Sequence, residues 1–419
     1  MKRQQRPQSI DTQSLHSIRS NESTSWTANI FSTSLPKRHD STANRAPVEM
    51  TTRHDRDQLP PTLSSQSSDP QEAAWNKYLR RLEELRQQNK QEINGGETIG
   101  AARFGQEGKE GQKKLDALKL LVVGGVPMQL RHSVWMELSD TRAIVVPDEY
   151  TTLLSQRSEV EEIEADDILK DVSRTLTSLN SFFADKGFQK LKDVLIAFVG
   201  KYKDLGYTQG LNTIAGCLLL AIPSEEDAFW MLCNIVENFF PKNYFGREDN
   251  MILPLADSTL LEKYIQHLIP KLGSHLKDVG FGETHPIFVK WFFTAFSNTL
   301  KAPVLMRVWD VWLCMPNQKY FLFSFALALL AHNADGLMEC EDSGDLLAFL
   351  DGKLDIPEDD ELTEMLKEAV RLNKKLGDVD ARREEEAAGL RLETKLARRK
   401  TGSMEALVDR AEDTESPPT

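Results

Sequence analysis

Apolar residues recur at helical spacing along this chain, but only over part of it. Residues 1–70 are rich in Ser, Thr, Gln, Asn and Pro and show almost no apolar periodicity. Such a segment cannot bury enough surface to offset its ordering entropy, so disorder is expected there. From Asp69-Pro70 onward, Trp75, Tyr78, Leu79, Leu82 and Leu85 return at helical spacing. They predict an amphipathic helix ending near Asn94-Gly95-Gly96. A Gly- and Lys-containing linker is expected to complete residues 71–114.

The long periodic segments fall in residues 115–355, the expected globular domain. It opens with a helix, a break at Gly124-Gly125-Val126-Pro127, and a second helix. Pro127 suits the first turn, where its missing N–H has no helical partner to lose. Leu130, Val134, Trp135 and Leu138 form the buried stripe, with Arg131 beside it. Two more helices are expected around residues 166–183 and 188–202, and another after the capping pattern at Ser224. Residues 258–280, 286–300, 302–315 and 319–337 supply further helices, and short ones near 344–350 and 358–372 close the domain. No segment sustains period-two alternation. The fold class is therefore all-α, and helices apolar on more than one face make it a multi-layer bundle. In residues 356–419 a Glu- and Arg-rich stretch over 380–400 reads as a solvated, fraying helix, with a disordered end.

Composition narrows the chemistry. A formal net charge of -13 argues against a general nucleic-acid binder, which needs basic surface to neutralise phosphates. Cys217, Cys233, Cys314 and Cys340 lie in or beside apolar segments without a CxxC, as expected of buried, reduced thiols in a cytosolic protein. The N-terminus lacks the apolar core of a signal peptide. The longest apolar run, Phe321–Ala331, is broken by Ser324 and is too short to span a bilayer. A soluble, cytoplasmic protein is expected. The glycines at 124 and 125 precede no Walker-type Lys-Ser or Lys-Thr, and no GxGxxG occurs, so the chain carries no nucleotide site of its own. Paired acid/base groups, an activated nucleophile and metal-ligand spacings are also missing, which weighs against a small-molecule enzyme with its own pocket.

Residues 166–216 hold the chemistry that remains. On the first helix Ile168, Val172, Thr175, Leu176, Leu179, Phe182 and Phe183 share one face at roughly 100° per residue. Arg174 points away from that stripe, and Asp171 sits at its border. The second helix faces inward with Leu191, Val194, Leu195, Phe198, Val199 and Tyr202. The turn Ala184-Asp185-Lys186-Gly187 is short enough to force an antiparallel pair. Arg174 then lies about 18 Å back from the turn and the end of helix two about 24 Å, at ~1.5 Å per residue. Both thus fall near one end of helices ~8–10 Å apart. Beyond helix two, Gly206 and Gly210 bracket Tyr207, Thr208 and Gln209. Tyr207 reads as an inward anchor, and Gln209 can both donate and accept. On the residues alone two readings stand. Either Asp171 and Arg174 form a surface ion pair beside an exposed glutamine, or Arg174 and Gln209 converge as a polar pair.

The motifs favour the second reading. Ile168-x-x-Asp171-x-x-Arg174-Thr175 followed by Tyr207-x-Gln209-Gly210 resembles the paired motifs of TBC-domain Rab GTPase-activating proteins. Gly125-Val126-Pro127, Leu130-Arg131 and Val134-Trp135 resemble that family's opening signature, and Pro303 with Met306-Arg307-Val308-Trp309-Asp310 its later element. The resemblance implies an all-α domain in two helical lobes and a partner, a GTP-bound Rab-family small GTPase, that carries GTP and Mg²⁺. Arg174 would be an arginine finger and Gln209 would position the attacking water. Asp171 would hold Arg174 or the loop, with Thr175, Tyr207 and Gly210 in support. Arg131, Trp135 and Asp310 would serve structure or interface. Fingers of this kind give roughly 10³–10⁵ in rate, or about 4–7 kcal/mol of barrier. No cofactor or metal of the chain's own is implied, and membrane association would be peripheral, through the partner, in vesicle traffic at endomembranes. Three positions depart from the pattern: Thr177 stands where the family commonly has Pro, and His132 and Ala302 replace the usual Gly and Phe. These departures keep open a non-catalytic helical adaptor.

Overall fold

A computed structural model describes residues 70–89, 97–160, 162–178, 186–246, 251–280, 282, 285–317 and 319–412. The disorder expected for residues 1–70 and for the chain's end beyond 412 falls outside those residues, Pro70 excepted. No strand occurs among the described residues, and the all-α expectation holds.

The chain order begins with α1 (Pro70–Asn89), a 3₁₀ turn (Ala101–Gln106), α2 (Gly108–Gly124), α3 (Met128–Leu138) and α4 (Glu149–Ser155). Then come α5 (Glu162–Ser178), α6 (Lys186–Lys201), α7 (Leu211–Ala221) and α8 (Glu225–Asn234). A second series follows: α9 (Ile252–Leu268), α10 (Pro270–Asp278), α11 (His285–Phe293), α12 (Ala302–Cys314) and α13 (Phe321–His332). The series closes with α14 (Ala334–Met338), α15 (Ser343–Gly352), α16 (Asp359–Asn373) and α17 (Val379–Glu412).

Local chemistry sets these boundaries. The Ser224 hydroxyl accepts the Asp227 N–H at 3.2 Å, and three acidic residues in the first turn of α8 complement the helix dipole. The Asp342 carboxylate does the same for α15 through the Asp345 N–H at 2.9 Å. Pro270 and Pro303 sit in the first turns of α10 and α12, where proline is tolerated.

Packing sorts into two sets. In the first, α6 is surrounded by α4, α5, α7 and α8. In the second, α13 packs on α16 and α9 packs on α10, α11, α13 and α17. Helix α12 joins them by meeting α2 and α3. Residues 321–330 of α13 are buried on every face, which explains the long apolar run that is too short for a membrane. Trp135, Trp309 and Trp312 form a chain of tilted rings, 6.1 Å apart at each step, between α3 and α12.

Three expectations are corrected. Residues 97–114, read as a linker, are folded: Ile99 is buried, and the Glu137 carboxylate accepts the N–H groups of Thr98, Ile99, Gly100 and Ala101 at 2.6–3.3 Å. Arg131, placed beside the α3 stripe, is itself buried, while Leu130 and Leu138 are half-buried. The tail over 380–400, read as solvated, docks on α9 by burying Arg383 and Ala387.

Candidate functional site

Helix α5 presents two faces. Ile168, Asp171, Val172 and Thr175 are buried, whereas the Arg174 side chain is 72% exposed. Leu176 and the residues after it on the expected stripe have side chains outside the described set. Asp171 belongs to both faces at once. Its Oδ1 accepts from Arg174 Nη1 at 3.3 Å, and its Oδ2 accepts from the Tyr207 hydroxyl at 2.9 Å. One carboxylate thus links the exposed guanidinium to the loop after α6.

That loop is fastened at nearly every residue. Tyr207 donates its backbone N–H to Glu164 Oε1 at 3.1 Å, and Thr208 donates its hydroxyl to the Phe245 carbonyl at 2.8 Å. Gly210 donates its N–H to Asn212 Oδ1 at 2.8 Å. Gly206 and Gly210 have φ of 69° and 116°, conformations that strain any residue with a Cβ. Gln209 lies between these anchors, half-buried, and its side chain makes no hydrogen bond among the described residues. The structure thus places Arg174 and the Gln209 loop on one hydrogen-bonded unit.

Electrostatics follow from burial. Burial pushes the Asp171 carboxyl above its ordinary range, while the Tyr207 hydroxyl and the Arg174 guanidinium pull it down. Burial and the adjacent Asp171 carboxylate hold the Tyr207 phenol well above its ordinary value, so it remains a donor. Two members of this network escaped the sequence reading. Glu164 lies in the acidic run from Glu159 to Asp167 and is buried. Asn212 showed only its spacing, two residues after Gly210, which suits a side chain that turns back onto the loop.

Arg131, Trp135 and Asp310 converge elsewhere. The fully buried Asp310 carboxylate accepts from Arg131 Nε and Nη2 at 3.0 Å each, from Trp135 Nε1 at 2.8 Å and from the Val126 N–H at 2.9 Å. Burial pushes this carboxyl up, against the pull of those donors. Among the described residues no hydrogen bond joins this cluster to Arg174 or the 207–210 loop. Its geometry brings the Gly125-Val126-Pro127 break, α3 and α12 together, which makes it a structural junction.

The profile of the Rab-GTPase-TBC domain matches residues 128–338, half of the chain. The chain belongs to that family. All the paired-motif residues lie inside the matched TBC domain, whereas α1, α2, α15, α16 and α17 lie outside it. A TBC domain-containing protein of Schizosaccharomyces pombe is 32% identical over 281 residues, covering 66% of this chain and 35% of that protein. Small G protein signaling modulator 3 of Mus musculus is 33% identical over 270 residues, covering 63% and 35%. This chain therefore spans about a third of the length of these curated relatives. The solved structure of a Chlamydomonas flagellar RabGAP TBC domain shares the fold with a TM-score of 0.54 and 24% identity, covering 72% of this chain and 96% of that one.

All four cysteines are buried and free of disulfides. Among the described residues no group of three or more side chains has the makings of a metal site. No described helix is long and apolar enough to cross a membrane.

Proposed function

We propose that this TBC domain accelerates GTP hydrolysis by a Rab-family small GTPase, with Arg174 and Gln209 acting in trans. The observation that carries the reading is the Asp171 carboxylate, shared by Arg174 and the Tyr207 hydroxyl. It gives an exposed cation and an unengaged amide a common, buried foundation, which suits preorganised stabilisation of charge on another protein's substrate. Arg174 neutralises charge growing on the transferring γ-phosphoryl group. Gln209 donates to and accepts from the attacking water. GTP and Mg²⁺ arrive with the partner, in keeping with a chain that has no phosphate loop. The setting that fits is cytoplasmic, peripheral to endomembranes through the partner, in vesicle-mediated transport.

Single-turnover GTP hydrolysis across a panel of GTP-loaded Rab proteins tests this. Acceleration of at least one Rab, lost on Arg174→Ala and on Gln209→Ala, is expected. Acceleration that persists in full with Arg174→Ala would sink the assignment. The second reading is a non-catalytic modulator, and a relative named as a small G protein signaling modulator keeps it in view. Capture of a GTP-loaded Rab with an unchanged hydrolysis rate would favour it.

A further inference from the structure

We infer that Asn212 is a positioning residue that sets the pose of Gln209 through a directed relay from α5, an inference that rests on the proposed GTPase-activating role. Asn212 is 6% exposed, and both ends of its amide are used. Its Oδ1 accepts the Gly210 N–H at 2.8 Å, and its Nδ2 donates to Thr175 Oγ1 at 2.7 Å. The Thr175 hydroxyl has one proton, which goes to the Asp171 carbonyl at 2.7 Å. Toward Asn212 that oxygen can therefore only accept. The relay has one direction: Asn212 amide to Thr175 hydroxyl to the backbone of the turn that carries Arg174.

The direction matters because of what lies at each end. Gly210 immediately follows Gln209 and holds φ at 116°, so the Gly210 N–H orients the peptide through which the Gln209 side chain is aimed. On the other side Tyr207 is fixed by Glu164 and Asp171, and Thr208 by the Phe245 carbonyl. Gln209 is the one residue from 207 to 210 whose side chain or N–H is held by none of these bonds. Its placement is inherited from its neighbours: Tyr207 ties the loop to the arginine helix on its N-terminal side, and Asn212 does so on its C-terminal side. A serine, leucine or alanine at position 212 could not serve both ends. Aspartate could accept from Gly210, but it would hold Thr175 only by turning the hydroxyl proton away from the Asp171 carbonyl, which cuts the relay at the arginine turn.

Asn212→Asp and Thr175→Val break the relay from its two sides, and Thr175→Ser preserves it. Misplacement of a reacting group by a fraction of its contact distance lowers turnover by up to about a hundredfold. Asn212→Asp and Thr175→Val should therefore lower kcat by roughly ten- to a hundredfold with KM for the Rab little changed, while Thr175→Ser stays near wild type. In a Gln209→Ala background the same two substitutions should cost less than about threefold, because the group they position is gone. Losses that multiply in that background would overturn the inference. So would a fall in activity that follows only the loss of folded protein, with Thr175→Ser as impaired as Thr175→Val.

A readout without any GTPase separates this from the functional reading. Amide hydrogen exchange in the peptide spanning residues 206–211 should quicken in Asn212→Ala, which removes the Gly210 acceptor, with exchange in α13 unchanged. Unchanged exchange in that peptide overturns the positioning role. Quickened exchange in Asn212→Ala beside a wild-type protein that accelerates no Rab would instead overturn the proposed activity and leave the relay standing as the loop's anchor.

Discussion

Asp310 and Arg131, 179 residues apart in sequence, meet as a bidentate pair with both hydrogen bonds at 3.0 Å and the carboxylate fully buried. Trp135 Nε1 and the Val126 N–H complete the ring of donors. Removing one partner leaves an uncompensated buried charge. Arg131→Met is expected to cost about 3–5 kcal/mol, whereas an apolar pair at both positions should recover only part of that loss, because Trp135 Nε1 and the Val126 N–H then lose their acceptor. Urea unfolding of the two single variants and the double variant checks this. A loss in the double variant equal to the sum of the two single losses would show that the pair does not act as a unit.

Arg174 should behave in the opposite way. Its side chain is 72% exposed and its ion pair with Asp171 spans 3.3 Å. Arg174→Ala is therefore expected to change stability by less than about 0.5 kcal/mol. Tyr207→Phe removes a donor from the buried Asp171 carboxylate and should cost about 1–3 kcal/mol. Thermal melts of the two variants, compared side by side, separate a residue kept for chemistry from one kept for support.

Much of this was legible in the sequence, and unevenly so. The helices, the Ser224 cap, the inward Tyr207 and the exposed face of Arg174 follow from periodicity and from local hydrogen-bonding rules, which act within a turn or two. What was not legible depends on partners distant in sequence. Nothing local in Thr98-Ile99-Gly100-Ala101 announces that the Glu137 carboxylate gathers its amides, so a folded segment read as a linker. Nothing local marks Glu164 for the site, because its partner is the backbone of Tyr207, 43 residues away. Arg383 looked solvated because Asp257 lies 126 residues away.

His132 stands where the family usually has glycine, and it pairs with Asp227 across α3 and α8 at 2.7 Å. That contact, with smaller help from Ser224 and Arg142, holds the Asp227 carboxyl below its ordinary range against the upward push of burial. A carboxyl lowered on folding adds stability that is present above its unfolded pKa and lost as pH falls through the folded one. Both side chains are about a third exposed, so the contribution is expected to stay below about 1 kcal/mol. His132→Gly should weaken the protein slightly near neutral pH and flatten the acid limb of its stability curve below about pH 4, where an unfolded aspartate takes up its proton. Chemical unfolding at a series of pH values checks this, and an unchanged acid limb would remove the pair from the account.

The last prediction concerns where the folded unit ends. The family match stops at residue 338, yet α17 begins at Val379 and packs along α9. Arg383 is 5% exposed, donates to Asp257 on α9 and to Asp380 one turn back, and lies over the Phe323 ring at 5.8 Å. Burial pushes the Asp257 carboxyl up, and Arg383 opposes that push most strongly. Replacing Arg383 while α17 stays docked would therefore leave a buried carboxylate on α9 without its cation. Arg383→Met should cost about 3–5 kcal/mol and open α17 to limited proteolysis. Truncation after Leu376 should cost at least as much, while adding Asp257→Leu to Arg383→Met should return much of the stability by making both sides apolar. If the truncated chain unfolds at the same urea concentration as the full one, α17 is an appendage after all. If it unfolds earlier and the double variant recovers, the helix that looked most like a solvated tail is part of the domain that carries Arg174.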